Sequence, residues 1–314
     1  MAHPIRMRRD AMLLPGHLVE VLPAPAIRAT LDGDFSLEGM PFMPEMLRYC
    51  GGRFRVQVRA ERTCARGLPP GERALRHLEG CVVLEGLRCD GASHAGCQLG
   101  CMLFWKEAWL RRVDDLGAGR ADPAEPPTVS LPVVRASDPS TYFCQGTALA
   151  RATVPAGPRW DPRQYLRLVE VGTLGVGELA GMLGRSAVRR IERSLRSVLP
   201  RKPPRNATAA DVLGLEPGEW VEVKSKADIR RTLDAADTHR GLGFSSDMYD
   251  FCGRKMRVSR RVDTILREET GKVRSVRDTV LLEGGECRRH LGCARQMPLM
   301  WREAWLKRLD PPGR

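Results

Sequence analysis

The chain contains the same module twice, and this duplication limits its fold more than any other feature. Residues 15–56 match residues 217–258 at a constant offset and without a gap. The match resumes after a short deletion, where VVLEG aligns with VLLEG and WKEAWLRRV aligns with WREAWLKRL. Positions that both copies keep are those that the module needs in order to fold or function.

The repeat divides the 314 residues into five parts. The segment after the first copy is rich in Pro, Gly and Asp, which predicts a linker or a long surface loop. The predicted parts are an N-terminal tail (1–13), a first metal-binding module (14–113), the linker (114–140), a helical middle segment (141–214) and a second metal-binding module (215–310).

Each module has the pattern of a mainly β structure. LVEV and WVEV alternate after a Pro-Gly turn, and FRVQVRAE and MRVSRRVD alternate apolar and polar residues, as half-buried strands do. WKEAWLRRV and WREAWLKRL place Trp, Ala, Trp and Leu at helical spacing. We therefore expect an α+β protein of two small β-rich modules, for which an SH3-like barrel is one architecture, each closed by a C-terminal helix.

A basic amphipathic helix is predicted between the modules. GELAGMLGRSAVRRIERSLRSVL repeats apolar residues at steps of three and four. The simpler interpretation of its charged side is a solvated face, and nucleic-acid contact is the alternative, in keeping with the net charge of +13. The basic residues of this face are Arg185, Arg189, Arg190, Arg193 and Arg196.

Three cysteines and one histidine recur in each copy with the spacing of metal ligands. Two cysteines and the histidine lie in a short Gly-containing knuckle, and another cysteine lies upstream before a glycine. The spacer between the knuckle's first cysteine and its histidine differs in length between the copies, which a metal site tolerates as long as the donor atoms converge. The predicted ligands are Cys50, Cys89, His94 and Cys97 in the first copy and Cys252, Cys287, His290 and Cys293 in the second.

Zinc is the metal that these ligand types favour. Zn²⁺ is held tetrahedrally by Cys₃His or Cys₂His₂ sets whose members are often two to four residues apart. Four protein ligands leave no open position, so we predict two structural zinc ions whose binding stabilises the fold. The alternative without a metal is a set of buried free thiols.

The string Cys89-Asp90-Gly91-Ala92-Ser93-His94 resembles the motif of the CDGSH iron–sulfur proteins. That family holds a [2Fe–2S] cluster with three cysteines and one histidine, so the resemblance implies an iron–sulfur cluster as the alternative cofactor. It covers six residues, differs by one inserted residue and lacks the family's upstream C-x-C. The second copy, CRRH, does not share it.

Four cysteines are not duplicated: Cys64, Cys81, Cys101 and Cys144. Cys101 aligns with Met297, which argues against an obligate ligand role. It also lies four residues after Cys97, so it is an alternative ligand of the first copy.

These features predict a binding protein more strongly than an enzyme. No P-loop, dinucleotide fingerprint, HExxH, GxSxG or paired acidic motif is present. No segment approaches the ~18 apolar residues of a membrane span, and we expect a cytoplasmic protein whose ten cysteines are thiols or metal ligands. The predicted function is a tandem zinc-stabilised binding or scaffold protein with a protein partner. The alternatives are an iron–sulfur redox or accessory enzyme and a nucleic-acid-binding protein.

Overall fold

A computed structural model describes residues 12–68, 72, 74–113, 140–158, 160–181, 184, 212–287 and 292–310. The predicted linker, apart from its last residue, and the arginines of the predicted basic helix lie outside these described residues. The chain divides into two compact units. The first comprises residues 1–184, 266–273 and 289–295, and the second comprises 185–265, 274–288 and 296–314.

The first copy of the repeat folds as a strand-rich module with one short α-helix, α1 (Ala24–Arg28). A 3-10 helix at Pro44–Tyr49 and a 3-10 turn at Glu107–Trp109 complete it. Its described strands are β1 (Leu18–Val21), β2 (Ser36–Leu37), β3 (Met40–Pro41), β4 (Arg53–Arg59), β5 (Arg62–Cys64), β6 (Leu75–His77), β7 (Cys81–Arg88), β8 (Met102–Lys106) and β9 (Leu110–Arg112).

Five of these strands form an antiparallel half-barrel sheet in the order β8-β7-β4-β1-β9. At the centre of β1, Val19 pairs with Phe54 of β4 on one side and with Arg112 of β9 on the other. The register shifts between Val56 and Val58, where β4 pairs with β7. Such an irregularity adds local twist, which helps a small sheet to curl around its core.

The segment predicted as a closing helix differs in the structure. Residues 105–113 continue β8, make the 3-10 turn and then form β9. Both Trp105 and Trp109 are completely buried. A strand followed by a tight turn brings residues four apart onto the same side, so the spacing that predicted a helix also fits this strand–turn–strand connection.

Aromatic packing fixes this connection against the core. Phe42 meets the rings of Trp105 and Trp109 edge-on, with centroids 6.0 and 5.2 Å away. The indole N–H of Trp109 donates to Thr30 Oγ1 over 3.0 Å. Edge-to-face pairs of this kind contribute about 0.5–1.5 kcal/mol each beyond their buried area.

The middle segment contributes β10 (Val154–Pro155) and the helices α2 (Gln145–Ala152) and α3 (Arg163–Glu170), and residues 176–181 are also helical. β10 joins β6 and β5 in a three-stranded sheet. The Gln145 side chain bonds the free edge of β8: its Nε2 donates to the Phe104 carbonyl and its Oε1 accepts from the Phe104 amide, both over 2.8 Å. One buried amide therefore replaces a neighbouring strand at this edge.

The second copy repeats the architecture of the first. It has a short helix, α4 (Lys226–Arg230), a 3-10 helix at Ser246–Phe251 and a 3-10 turn at Glu303–Trp305. Its described strands are β11 (Trp220–Val223), β12 (Thr238–His239), β13 (Leu242–Gly243), β14 (Lys255–Arg261), β15 (Thr264–Leu266), β16 (Val273–Ser275), β17 (Thr279–Glu286), β18 (Pro298–Arg302) and β19 (Leu306–Arg308).

The main sheet of this copy has the order β18-β17-β14-β11-β19, which is the order of the first copy. The aromatic packing also recurs, since Phe244 meets Trp301 and Trp305 edge-on with centroids 6.1 and 5.0 Å away. The prediction of two similar strand-rich modules is confirmed.

Within the described residues, no helix is long and apolar enough to cross a membrane.

Candidate metal centre

The knuckle that carries the predicted ligands of the first copy begins where β7 ends. It closes on itself through the Cys89 amide, which donates to the Cys101 carbonyl over 2.8 Å. The amides of His94 and Gly96 both donate to the Gly91 carbonyl, over 3.0 and 2.9 Å. Gly91 has φ +76°, and a Cβ there would lie 2.1 Å from the carbonyl oxygen of Cys97. Only glycine fits this turn, which folds His94 back towards Cys89.

Three side chains converge at the base of this knuckle. Cys89 Sγ lies 3.4 Å from His94 Nε2 and donates a hydrogen bond to Glu45 Oε1 over 3.3 Å. His94 Nδ1 lies 3.8 Å from the same carboxylate oxygen. One ligand atom from each of Glu45, Cys89 and His94 lies within 4.8 Å of the other two, and this is the one such group of three among the described residues. The group places one sulfur, one nitrogen and one oxygen donor around a common point.

Two of the three converging groups are withdrawn from water, and Cys89 is partly buried. The side chains of Glu45 and His94 are 1% and 3% exposed. Glu45 Oε2 is buried and has no hydrogen-bond partner within the described residues. An unpaired buried carboxylate oxygen is costly, and a bound cation would remove that cost.

The protonation states also suit a metal. Burial lowers the pKa of His94, and the carboxylates of Glu45 and Asp90 offset this only in part. The imidazole is therefore neutral near pH 7, which is the form that binds metals. Burial raises the pKa of the Cys89 thiol, and the Glu45 carboxylate raises it further. A bound cation would reverse this preference for the protonated thiol and would coordinate the thiolate, since a coordinating thiol is deprotonated.

Glu45 is the member of the group of three that the cysteine and histidine pattern does not reveal. It lies in the 3-10 helix Pro44–Tyr49, directly before Met46. In the second copy Asp247 holds the same place, directly before Met248. A carboxylate at the same repeat position is the sequence signal that could have identified it.

The other predicted ligands of the first copy lie outside the group of three. Cys50 ends the 3-10 helix and packs in the hydrophobic core, where burial raises its pKa to about 11. Cys97 is 6% exposed, and its Sγ accepts a hydrogen bond from the Leu266 amide over 3.3 Å. The structure thus brings together two of the four predicted residues and adds Glu45 to them.

A partly open cavity of about 30 Å³ adjoins the group. Glu45, Cys89 and His94 all line it. Further lining groups are Cys97, Cys101, Cys144, Gln145, Glu268 and Arg295. The space holds at least one water molecule, so a metal ion held by the three side chains could keep one water as a further ligand.

The second copy repeats part of this arrangement. Cys287 follows β17, and its thiol donates to Asp247 Oδ2 over 3.3 Å. His290 lies outside the described residues. Cys252 is half-buried, and burial raises its pKa. Cys293 is buried, and its thiol hydrogen-bonds the thiol of Cys64.

Comparison with known proteins gives no further assignment: no protein-family model matches the chain, and no match is found among curated proteins or solved structures.

Proposed function

We propose that the protein is a tandem metal-binding protein whose first module holds a zinc ion through Glu45, Cys89 and His94. The observation that carries the proposal is the convergence of these three donors, of which Glu45 and His94 are buried, with one carboxylate oxygen, Glu45 Oε2, lacking a partner in the described structure. Sulfur, nitrogen and oxygen donors together match the ligand preferences of Zn²⁺.

Zinc accounts for this donor set better than an iron–sulfur cluster does. Such clusters are held mainly by several cysteine thiolates. The group of three contains a single cysteine, Cys89, together with one carboxylate and one imidazole. The remaining coordination position of a tetrahedral ion is open to water, or to the thiol of Cys97 or Cys101 in the cavity lining.

The pairing of Asp247 with Cys287 supports an equivalent site in the second module. Here the sequence prediction contributes His290 as the imidazole ligand. Cys50 then becomes a core residue and Cys252 a half-buried residue packed against the core, and in each module the acidic residue takes the ligand position predicted for that cysteine. The shared strand order and the 3-10 turn before the last strand support an SH3-like interpretation of both modules.

The wider role we propose is binding or scaffolding of a protein partner. The duplication supports it, because two similar modules on one chain can engage two sites and gain affinity through effective concentration. Nucleic-acid binding predicts a different behaviour, since affinity for a labelled duplex would fall steeply between about 50 and 200 mM salt. Absence of duplex binding at the lower salt concentration would remove that alternative.

The test of the metal assignment is zinc and iron content per chain, measured together with the visible spectrum. We expect zinc and a colourless protein, and we expect Cys89→Ser to lose one zinc ion per chain. Cys144→Ser is the matched control, because Cys144 lines the same cavity without belonging to the group of three. Full zinc content in Cys89→Ser, or iron with sulfide in the wild type, would contradict the proposal.

A further inference from the structure

A second pair of thiols lies in the first unit, outside the group formed by Glu45, Cys89 and His94. The thiols of Cys64 and Cys293 hydrogen-bond each other. Their backbones run side by side, since the Ala294 amide donates to the Arg62 carbonyl over 2.8 Å. This backbone bond links the segment that carries Cys293 to the strand that carries Cys64.

A buried arginine holds this contact in place. Arg295 Nη1 donates to the carbonyl of Cys64 over 3.0 Å and also to Glu268 over 2.9 Å. The side chains of Arg295 and Glu268 are 4% and 7% exposed. Because the arginine is fixed by its carboxylate, the end of β5 and the segment that carries Cys293 keep a constant separation.

The pair is not required by the fold of the module. Cys64 ends β5, and its repeat equivalent, Leu266, ends β15. Cys293 is the repeat equivalent of Cys97, and Cys97 faces Leu266 through the hydrogen bond from the Leu266 amide. The last residue of β5 thus meets Cys293 thiol to thiol, whereas the last residue of β15 meets Cys97 through its backbone amide. Packing alone does not explain why the first contact has a cysteine on each side.

The two thiols differ in their access to solvent. Cys293 is 3% exposed, whereas Cys64 is only partly buried. The guanidinium groups of Arg66 and Arg295 and, with opposite sign, the carboxylate of Glu268 act electrostatically on Cys64. Exposure and positive charge are the features of cysteines that react with peroxides, and a second thiol in contact is what resolves the oxidised product.

We propose that Cys64 and Cys293 form an oxidation site at which a peroxide converts the thiol pair into a disulfide. The Cys64 sulfur attacks one peroxide oxygen, the O–O bond breaks, and a sulfenic acid and one water result. The Cys293 sulfur then attacks the Cys64 sulfur and forms the S–S bond, and the hydroxyl leaves as a second water. In sum, two thiols are oxidised and one hydrogen peroxide is reduced to two waters, and a dithiol reductant reverses the change.

The experiment exposes the reduced full-length chain to hydrogen peroxide, counts free thiols and maps disulfide-linked peptides by mass spectrometry. We expect two of the ten thiols to be lost in one linked pair, Cys64–Cys293, and to return with dithiothreitol. In Cys64→Ser the rate of thiol loss at the same dose should fall at least tenfold. Cys144→Ser, which removes a partly buried thiol elsewhere, should oxidise like the wild type.

Mapping of the wild type decides the question even if a variant fails to fold. A different linked pair, or thiol loss without any disulfide, would overturn the proposal. The mapping is done on zinc-loaded and on chelator-treated protein, and the disulfide is expected in both. A disulfide that forms only after chelation would also overturn the proposal, because Cys293 would then be a metal ligand in the resting protein. Neither Cys64 nor Cys293 belongs to the group of Glu45, Cys89 and His94. The zinc content of that group therefore tests the proposed metal-binding function separately from the oxidation site.

Discussion

The thiol of Cys287 donates a hydrogen bond to the carboxylate of Asp247, with the two atoms 3.3 Å apart. The first copy makes the same bond over the same distance, from Cys89 to Glu45. In both copies the acid lies in a 3-10 helix and the cysteine directly follows a long strand, β7 or β17, that is second from the edge of its sheet. The bond is kept although the acid is one methylene shorter in the second copy, so it belongs to the module and not to one copy.

Replacement of Glu45 by glutamine should weaken zinc binding by the first module at least tenfold. The amide keeps the size of the side chain but removes the charge that would neutralise the metal, while Cys89 and His94 stay in place. The measurement is competition of the purified chain with a chromophoric zinc chelator. Asp247→Asn is the matched control and should leave the affinity of the first site unchanged. Equal affinities for Glu45→Gln and the wild type would show that the carboxylate is no ligand.

Gly91→Ala should disrupt the knuckle, and Gly96→Ala should disturb it much less. Both glycines have positive φ, at 76° and 68°, so each alanine costs roughly 1–2 kcal/mol in backbone strain. A Cβ at Gly91 would also meet the Cys97 carbonyl, whereas a Cβ at Gly96 has nothing within 4 Å. We expect Gly91→Ala to lose a further ~1–3 kcal/mol of unfolding free energy, measured by urea denaturation. Equal losses for the two variants would contradict this account of the turn.

Glu268→Gln should destabilise the protein by about 3–5 kcal/mol. The change leaves the Arg295 guanidinium buried without its counter-charge, and breaking one side of a buried ion pair has a cost of this size. The control is Glu283→Gln, because Glu283 pairs with Arg257 over 3.8 Å with both side chains about half exposed. That exposed pair should contribute less than about 1 kcal/mol. Similar urea midpoints for the two variants would show that the buried pair contributes little.

The same ion pair predicts a loss of stability in acid. Burial opposes ionisation of the Glu268 carboxyl, but the charge and hydrogen bonds of Arg295 outweigh it and hold the pKa below its ordinary value of 4.5. The unfolded chain therefore takes up a proton at a higher pH than the folded chain does. The stabilisation is complete above the ordinary value and is lost as pH falls through the folded value.

Urea unfolding of chelator-treated wild type and Glu268→Gln across pH measures this directly. The difference in unfolding free energy between the two proteins should stay constant from about pH 7 to 5 and shrink below about pH 4.5. A difference that is constant down to pH 3 would indicate that this carboxyl has an ordinary pKa in the folded protein.

The errors in predicting the fold come from ambiguous spacing. WKEAWLRRV has two tryptophans four residues apart, which predicted a helix, but the structure has a strand, a 3-10 turn and a strand. Periodicity describes only which residues face the same side, and both local structures put Trp105 and Trp109 in the core. The sheet neighbours on either side decide between them, and a short sequence window does not contain that information.

The sequence by itself determined that the protein is a duplicated, strand-rich module and that Cys89 and His94 belong together, because these properties depend on repetition and on spacing within a short loop. Only the tertiary structure brought Glu45 to that pair and Cys293 to Cys64. Both contacts join residues far apart in the chain, and their distances are set by how strands and loops pack. Spacing along a sequence measures the separation of residues along the chain, whereas the chemistry of a site depends on which atoms meet after folding.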